Sequence, residues 1–396
     1  MSDAAFSLRK IAVPAFGPSI LFGIGSGAIL PVIALSAREL NASLAVSGLI
    51  VALIGLGSLV SNIPAALITS RYGERRSLIG ASAFCVLALI LCLLARHTWV
   101  LGVAVLMFGM ATSVFYLARQ TYLIEAVPLS MRARAMSTLG GTQRIGMFVG
   151  PFAAAGLMHF IGLAGAYWIA IVALIAAGAL SSAVPDFEIR EQGDGSRTDK
   201  PNMAKIARTH ARVFATLGVG VLFIGAMRAS RQIAIPLWAD SIGLNPTTTA
   251  IIFGLVSAID MLFFYPAGKV MDKYGRLWVA LPCALLLGGS LIAIPLTSSL
   301  TAFLIVSMLM GLGNGIGSGI IMTLGADASP RVGRTEFLGI WRLIADLGTS
   351  GGPFLLSGFT ALISLGAGIA ATGVLGLAAA AVFWRWLPHM KKAGAS

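Results

Sequence analysis

Charged residues are scarce in this sequence, and their scarcity excludes an ordinary soluble protein. Asp, Glu, Lys and Arg together supply 11% of the 396 residues, whereas hydrophobic residues supply 57%. Soluble globular domains contain roughly 25% charged residues, so this composition indicates a protein embedded in a lipid bilayer. Residues 1–10 run directly into a long apolar segment without a small-residue cleavage site, and we therefore expect no secretory signal.

Cysteine and histidine are also few. The three cysteines, Cys85, Cys92 and Cys283, lie within apolar runs, where a thiol acts as a small hydrophobic side chain. The four histidines are scattered along the chain and form no His-Glu-x-x-His motif. These absences argue against a membrane enzyme, a disulfide-bonded protein and a metalloprotein, and we predict that the chain uses no cofactor and no metal ion.

Acidic residues are outnumbered, 15 against 28 basic residues, and the basic excess is distributed unevenly. Twenty-one Lys and Arg residues fall at the termini and in every second connection between apolar runs, whereas the other connections contain two, Arg38 and Arg96. By the positive-inside rule we predict that both termini lie in the cytoplasm, so the basic excess indicates topology and not a nucleic-acid partner. Twelve spans, each long enough to cross a bilayer, are predicted over approximately residues 11–37, 44–69, 78–95, 99–124, 135–158, 162–184, 211–238, 247–270, 277–296, 300–326, 336–362 and 365–387.

One stretch occurs twice and indicates that the chain is a duplication. Residues 125–151 and 327–353 each contain an acid, a proline three residues later, basic residues, an apolar run and a Gly-Pro, and the two copies are 202 positions apart. Two parallel six-span halves are typical of secondary transporters rather than of channels. The polar segment between the halves is typical of a flexible linker. We therefore predict an N-terminal six-helix bundle over residues 1–184, a cytoplasmic linker over 185–210 and a C-terminal six-helix bundle over 211–396.

The connection after the eighth span contains a distinctive motif, Gly268-Lys-Val-Met-Asp272-Lys273-Tyr-Gly275-Arg276. It resembles the signature loop of the major facilitator superfamily, a Gly followed by Asp-Arg/Lys-x-Gly-Arg. The resemblance implies an all-α membrane protein with twelve transmembrane helices in two pseudo-symmetric six-helix bundles. It also implies that these residues form a cytoplasmic latch in an alternating-access cycle. The first-half copy of the latch keeps Arg71 and Gly73 but has Ser70 and Glu74 in place of the acid and the final basic residue.

A second motif, in the fifth span, resembles that of the drug:proton antiporters of the same superfamily. Gly146, Gly150 and Pro151 follow the Gly-x-x-x-Gly-Pro pattern, and Gly352 and Pro353 repeat its end 202 positions later. The resemblance implies that these residues form a helix-bend motif, and it favours proton-coupled export. The fourth-span arginine of the antiporters has no counterpart in this sequence.

Seven ionisable residues lie inside the predicted spans, where each costs at least ~2.5–3.5 kcal/mol of insertion free energy. By helix rise, Asp260 and Arg144 both lie near the midplane, and the resemblance implies that spans 5 and 8 are neighbours. Our hypothesis is that Asp260 is a proton-coupling carboxylate with Arg144 as its charge partner, and the alternative is a permanently ionised structural pair. Asp346 follows Arg342 by four positions, so Asp346 either contributes to coupling or substrate contact or is neutralised by that arginine.

The seven residues are five arginines and two acids, and this surplus leaves the charge of the substrate open. A cavity for cationic drugs favours unpaired carboxylates, whereas guanidinium groups match carboxylates and phosphates. Arg231 is expected to lie towards the outer face and to extend its side chain to the interface. The residues predicted to line the substrate cavity are Arg228, Arg119, Gln143, Ser26 and Asn314. The alternatives are an internal salt bridge for Arg228 and, for Arg119, a role in gating through Glu125 or the cytoplasmic interface.

Two functions fit these observations. The first is proton-coupled export of small amphipathic organic compounds by alternating access, and the second is transport of an organic anion or zwitterionic metabolite. A receptor with the same fold would move no substrate, so flux across vesicles separates it from a transporter. The predicted partners are a small-molecule substrate, protons and the lipid bilayer, without nucleic acid. We expect a monomeric multi-pass protein of the cell membrane, the inner membrane of a bacterium.

Overall fold

The computed structural model describes residues 8–128, 131–183, 203–330 and 332–393, and all regular secondary structure in these ranges is helical. The described residues group into two compact units. Unit 1 comprises those within residues 1–191 together with 243–257, and unit 2 comprises those within 192–242 together with 258–396. The predicted domain limits, 1–184 and 211–396, stay a prediction.

Six long helices form most of unit 1, and short connections separate them. Ser43 caps the start of the second helix, because its hydroxyl accepts a hydrogen bond from the Val46 amide at 3.2 Å. Gly73 and Gly162 end two helices with φ angles of 79° and 65°, a conformation that glycine adopts without steric cost. The helices are α1 (Leu8–Glu39), α2 (Leu44–Tyr72), α3 (Glu74–Leu93), α4 (Thr98–Ala126), α5 (Arg132–Ile161) and α6 (Ala164–Ser181).

Nine further helices follow among the described residues, and two short elements interrupt them. A π-helical turn, Phe214–Gly218, joins the second of these helices to the third, and a 3-10 turn, Ile294–Leu296, extends the fifth. The helices are α7 (Met203–Thr209), α8 (Ala211–Val213), α9 (Val219–Ser241), α10 (Pro246–Tyr274), α11 (Leu277–Ala293), α12 (Leu300–Ile316), α13 (Ile320–Ala328), α14 (Arg334–Leu362) and α15 (Leu365–Ala393).

Eleven helical segments of the described chain are long and apolar enough to cross a membrane. They coincide with eleven of the twelve predicted spans. The remaining predicted span corresponds to α14, whose 29 residues extend over about 44 Å. The hydropathy of α14 is lower than that of the eleven other segments because α14 contains Glu336, Arg342 and Asp346. The chain is therefore an all-α, multi-pass integral membrane protein, as predicted.

Close contacts between helices repeat in the two halves at equivalent positions. In unit 1, α1 packs against α5, and a Cβ atom on Gly23 would lie 2.6 Å from the Gln143 carbonyl oxygen. In unit 2, α9 packs against α14, and a Cβ atom on the counterpart Gly225 would lie 2.8 Å from the Ala345 carbonyl oxygen. Because apolar burial gives no driving force between helices in lipid, close backbone approach stabilises such pairs. These glycines therefore specify the same packing twice.

The structure corrects two predictions about chain organisation. Residues 203–209, predicted to belong to a flexible linker, form α7, because Ile206 gives this segment a side chain to bury. The rest of that predicted linker up to residue 202 lies outside the described residues. The tenth predicted span is not one helix, since a turn over residues 317–319 separates α12 from α13. Gly317 and Gly319 account for this break, because glycine is a poor helix former.

Candidate functional site

Asp260, in the middle of α10, lies in a polar cluster within unit 2. Its Oδ2 atom accepts a hydrogen bond from Asn314 Nδ2 at 2.5 Å, and the same oxygen lies 3.9 Å from Arg231 Nη1. The side chains of Arg231 and Asp260 are only 10% and 15% exposed. Helices α10 and α12 approach closely at Gly315, where a Cβ atom would lie 2.6 Å from the Asp260 carbonyl oxygen. The cluster therefore places a cation and an amide donor beside the Asp260 carboxyl group.

Arg228, one turn before Arg231 on α9, contacts the break between α12 and α13. Its Nη2 atom donates a hydrogen bond to the Gly317 carbonyl oxygen at 2.6 Å, and this oxygen also accepts from the Ile320 amide at 3.0 Å. Carbonyl groups at the end of a helix lack an intrahelical partner, so Arg228 stabilises the end of α12. A side chain at residue 317 would collide with Cys283 Sγ. The role of Arg228 in substrate binding stays a prediction.

The position of Arg231 differs from the prediction. We expected its side chain to extend to the membrane interface, and this was wrong, because the residue is 9% exposed and lies beside Asp260. Arg228 and Arg231 are three residues apart and so share a helix face, a spacing that signals a common environment. Arg144, the predicted partner of Asp260, belongs to unit 1, and that pairing stays a prediction.

Asp346 and Arg342 lie on one face of α14. Their Oδ2 and Nε atoms are 3.9 Å apart, and the two side chains are 39% and 71% exposed. This i,i+4 contact matches the sequence alternative in which the arginine neutralises the acid. A contribution of Asp346 to proton coupling stays a prediction.

A second cluster, the Arg119 cluster, joins α1, α4 and α5 in unit 1 and comprises Phe22, Phe115, Tyr116, Arg119 and Gln143. Arg119 Nη2 donates a hydrogen bond to Gln143 Oε1 at 3.2 Å, and Gln143 Nε2 donates to the Tyr116 hydroxyl at 2.6 Å. The Arg119 guanidinium carbon lies 5.1 Å from the centre of the Tyr116 ring, which is within cation–π range. The rings of Phe22 and Phe115 stack with their centres 4.0 Å apart. Arg119 itself is buried, with 6% of its surface exposed.

The structure thus brings together some of the residues that we predicted for the substrate cavity. Arg119 contacts Gln143 in unit 1, and Asn314 contacts Asp260 in unit 2. Ser26 is buried on α1, near the Tyr116 hydroxyl but without hydrogen-bond geometry. The Tyr116 hydroxyl was not among the predicted cavity residues, although its three-residue spacing from Arg119 places both on one helix face.

The loop after α10, which we predicted to be the second-half latch, is joined to α13 by an ion pair. Arg276 Nε donates to Asp327 Oδ2 at 2.7 Å, and Arg276 Nη2 donates to Oδ1 at 3.4 Å. Arg276 also donates to the Met271 carbonyl oxygen at 3.1 Å and lies 4.0 Å from Asp272. The hydrogen bond to Asp327 raises the pKa of Arg276 above its usual value. Gly275, with a φ angle of 98°, makes the turn that positions Arg276.

The first half has a different charge pattern at the equivalent positions. The counterparts of Arg276 and Asp327, 202 residues earlier, are Glu74 and Glu125. Two acids cannot form this ion pair, so the contact belongs to the second half. The predicted latching role of these loops stays a prediction.

We expect a double-mutant cycle of Arg276→Gln and Asp327→Asn to give a coupling free energy of about 0.5–1 kcal/mol. The magnitude is modest because the two side chains are 32% and 36% exposed. Thermal unfolding of the purified protein in detergent measures the effect. Strictly additive losses in the two single variants would contradict a stabilising ion pair.

The chain is similar in sequence to a known protein family and to several characterised proteins. A family model described as Major Facilitator Superfamily matches residues 19–227 and 217–396. The Multidrug resistance protein MdtG of Escherichia fergusonii is 28% identical over 161 residues, which cover 39% of this chain and 40% of the relative. The Arabinose-proton symporter of Bacillus subtilis is 26% identical over 161 residues, which cover 39% of this chain and 34% of the relative. The chain thus spans well under half the length of the curated relatives that it matches.

A solved structure resembles the whole chain. The crystal structure of a bacterial homolog of the human lysosomal transporter Spinster, in an inward-facing and unoccupied conformation, superimposes with a TM-score of 0.78 over 97% of each chain. The sequences are 15% identical. At this identity the likeness establishes a common fold and nothing about the substrate.

Proposed function

Because the chain belongs to the Major Facilitator Superfamily, we propose that it is a proton-coupled secondary transporter that exports small amphipathic organic compounds. Family membership makes the chain a membrane transporter and not an enzyme. The observation that carries the proposal of proton coupling is the position of Asp260, a carboxylate in the middle of a membrane helix that contacts Asn314 and Arg231. Ionisable residues at such depth are expensive and usually functional.

The protonation state of Asp260 changes the strength of its contacts with Arg231 and Asn314. When the carboxylate is ionised, its attraction to Arg231 is stronger inside the protein than it would be in water. When the carboxyl group is protonated, this attraction is lost, and the contact with Asn314 weakens from a charge-assisted to a neutral hydrogen bond. Protonation of Asp260 therefore changes the relative stability of the arrangements that α9, α10 and α12 can adopt. Such a difference is required for a proton to shift a conformational equilibrium.

The break after α12 lies close along the chain to the amide that contacts this carboxylate. Asn314, the amide that contacts Asp260, is three residues before Gly317, whose carbonyl oxygen Arg228 holds. Discontinuous helices form the substrate and ion sites of many secondary transporters. Loss of the Asp260 contacts would thus act on the end of α12, where glycine permits a change of backbone direction.

Relatives support amphipathic substrates and proton coupling in different ways. The likeness to a protein named for multidrug resistance favours export of amphipathic compounds, and the likeness to a sugar-proton symporter favours coupling to protons. The Tyr116 ring of the Arg119 cluster is partly exposed and suits contact with such compounds.

Transport by the reconstituted protein under an imposed pH gradient tests the proposal. The probes are rhodamine 6G as a cation, Nile red as a neutral compound and carboxyfluorescein as an anion. At least one probe should accumulate in the direction opposite to proton flow, and a protonophore should abolish the accumulation. Empty liposomes control for passive partitioning. Flux that is independent of the pH gradient for every probe would contradict proton coupling.

A further inference from the structure

We propose that Arg119 binds the anionic group of the transported compound, so that the substrates are amphipathic organic anions. The inference rests on the proposed transport function and specifies the charge of its substrate. A carboxylate or sulfonate group would contact the Arg119 guanidinium, and the apolar part of the compound would contact the partly exposed Tyr116 ring.

Arg119 is a buried cation whose contacts, in the part of the chain that the structure describes, are all with neutral groups. Its Nη2 atom donates to Gln143, and the rings of Phe115 and Tyr116 lie beside the guanidinium. Its Nε and Nη1 atoms are buried and have no hydrogen-bond partner among the described residues. Arginine stays protonated in proteins, and a buried charge without an opposing charge is unfavourable. An anion supplies both the missing charge and the missing acceptors.

The guanidinium is held in place before any ligand arrives. Gln143 orients Arg119 through its amide oxygen, and Gln143 is itself fixed because its amide nitrogen donates to the Tyr116 hydroxyl. Groups that are ordered in advance lose less conformational freedom on binding. Guanidinium also matches planar oxyanions better than other side chains do. The arrangement therefore suits a carboxylate or sulfonate and repels a cationic compound.

The aromatic part of the cluster suggests the other half of the ligand. Phe22 stacks on Phe115 with an angle of 14° between the rings, and Tyr116 meets Phe22 edge-on with ring centres 5.4 Å apart. Phe22 and Phe115 are fully buried and support the partly exposed Tyr116 ring. A flat apolar group can pack against Tyr116 while its charged end contacts the guanidinium. We therefore expect aromatic carboxylates and sulfonates to bind.

The duplicated half indicates that the fold itself does not require this cluster. The glycines that pack α1 on α5 recur 202 residues later in α9 and α14, whereas the residues of the cluster do not. Contacts that the fold requires would be expected in both halves, whereas a ligand site is needed only once. The counterparts of Phe22, Phe115, Tyr116, Arg119 and Gln143 are Ile224, Gly317, Ser318, Ile321 and Ala345.

Binding of four matched probes to the purified full-length protein in nanodiscs of neutral lipid tests the proposal. The probes share a naphthalene ring and differ in charge: 2-naphthoate, 2-naphthalenesulfonate, 2-naphthamide and 2-naphthylmethylammonium. Isothermal titration calorimetry should show both anions binding at least about tenfold more tightly than the amide, because they form charge-assisted hydrogen bonds. The cation should bind more weakly than the amide.

Three variants assign the effect to the guanidinium. Arg119→Gln should weaken binding of 2-naphthoate at least about tenfold and remove the preference for anions. Arg119→Lys keeps the charge without the planar donors and should retain part of the preference. Arg96→Gln removes the same charge from an exposed position in the connection between α3 and α4 and should leave all four affinities unchanged.

Equal affinity of the wild-type protein for 2-naphthoate and 2-naphthamide would overturn the proposal, as would binding of neither anion or an unchanged preference in Arg119→Gln. If that variant does not fold, the wild-type comparison and Arg119→Lys decide. Gradient-driven accumulation of rhodamine 6G by a protein that does not prefer anions would overturn this inference and leave proton-coupled export standing. Preferential anion binding without gradient-driven transport would overturn proton-coupled export and leave the anion-binding role of Arg119 standing.

Discussion

Replacing Asp260 with Asn is expected to abolish proton-driven accumulation while substrate exchange across the membrane continues. Asparagine has the shape of aspartic acid and can still contact Asn314, but it neither takes up nor releases a proton. One pH unit corresponds to about 1.4 kcal/mol per proton, so a gradient of about two units supports up to about 100-fold accumulation when one proton moves per substrate. The Asp260→Asn variant should reach a ratio of about 1 under the same gradient.

Two transport assays on the same proteoliposomes separate coupling from loss of function. Uptake of an accumulated probe under a pH gradient measures coupling, and counterflow of that probe at equal pH measures exchange. Asp346→Asn is the matched variant, because Asp346 is the other embedded acid that we considered and its partner Arg342 lies on the same helix. Accumulation by Asp260→Asn at the wild-type level would remove Asp260 from the coupling mechanism.

Gly352→Ala is expected to lower the free energy of unfolding by about 1–3 kcal/mol, as overpacking does in close-packed cores. The added methyl group would lie 2.6 Å from the Ala226 Cα atom and would collide with the Ala226 carbonyl oxygen. Both are backbone atoms, so no change of rotamer relieves the clash. Only separation of α9 from α14 would make room for the methyl group, and the variant should unfold at a lower temperature in detergent.

The neighbouring residue provides the control. A Cβ atom on Gly351 would meet nothing within 4 Å, and alanine favours helix over glycine by up to about 1 kcal/mol. Gly351→Ala should therefore be neutral or slightly stabilising. Equal melting temperatures for Gly351→Ala and Gly352→Ala would show that the close approach at residue 352 does not determine the packing of unit 2.

Much of the fold could be predicted because the bilayer restricts what a spanning segment can be. A helix of known rise must cover a fixed thickness, so apolar runs of the right length locate the helices, and the 202-residue repeat relates the two halves. The break at residues 317–319 could not be predicted in the same way. Gly313, Gly315 and Gly317 look alike in the sequence, but the first two pack against α11 and α10, and only the third ends a helix.

The depth of the candidate site in the membrane could be predicted from the sequence, but the partners of Asp260 could not. Counting residues along α10 locates Asp260 near the middle of its helix, yet it does not give the rotation of the helix and therefore does not name the partners. Asn314 is 54 residues from Asp260 in sequence, and Arg231 had an equally plausible place at the interface. The Arg119 cluster forms where three helices pack together, and no local sequence pattern predicts such a tertiary contact.

Helix α13 connects the Arg276–Asp327 ion pair to the interior of unit 2. It begins directly after the break at residues 317–319 and contains Asp327, which binds Arg276. The distance from Ile320 to Asp327 along the helix is about 11 Å. A rigid lever of this length that turns by about 10° at its glycine end moves its other end by about 2 Å. That displacement exceeds what a hydrogen bond tolerates, so we expect a rotation of α13 at its glycine end to weaken the Arg276–Asp327 ion pair.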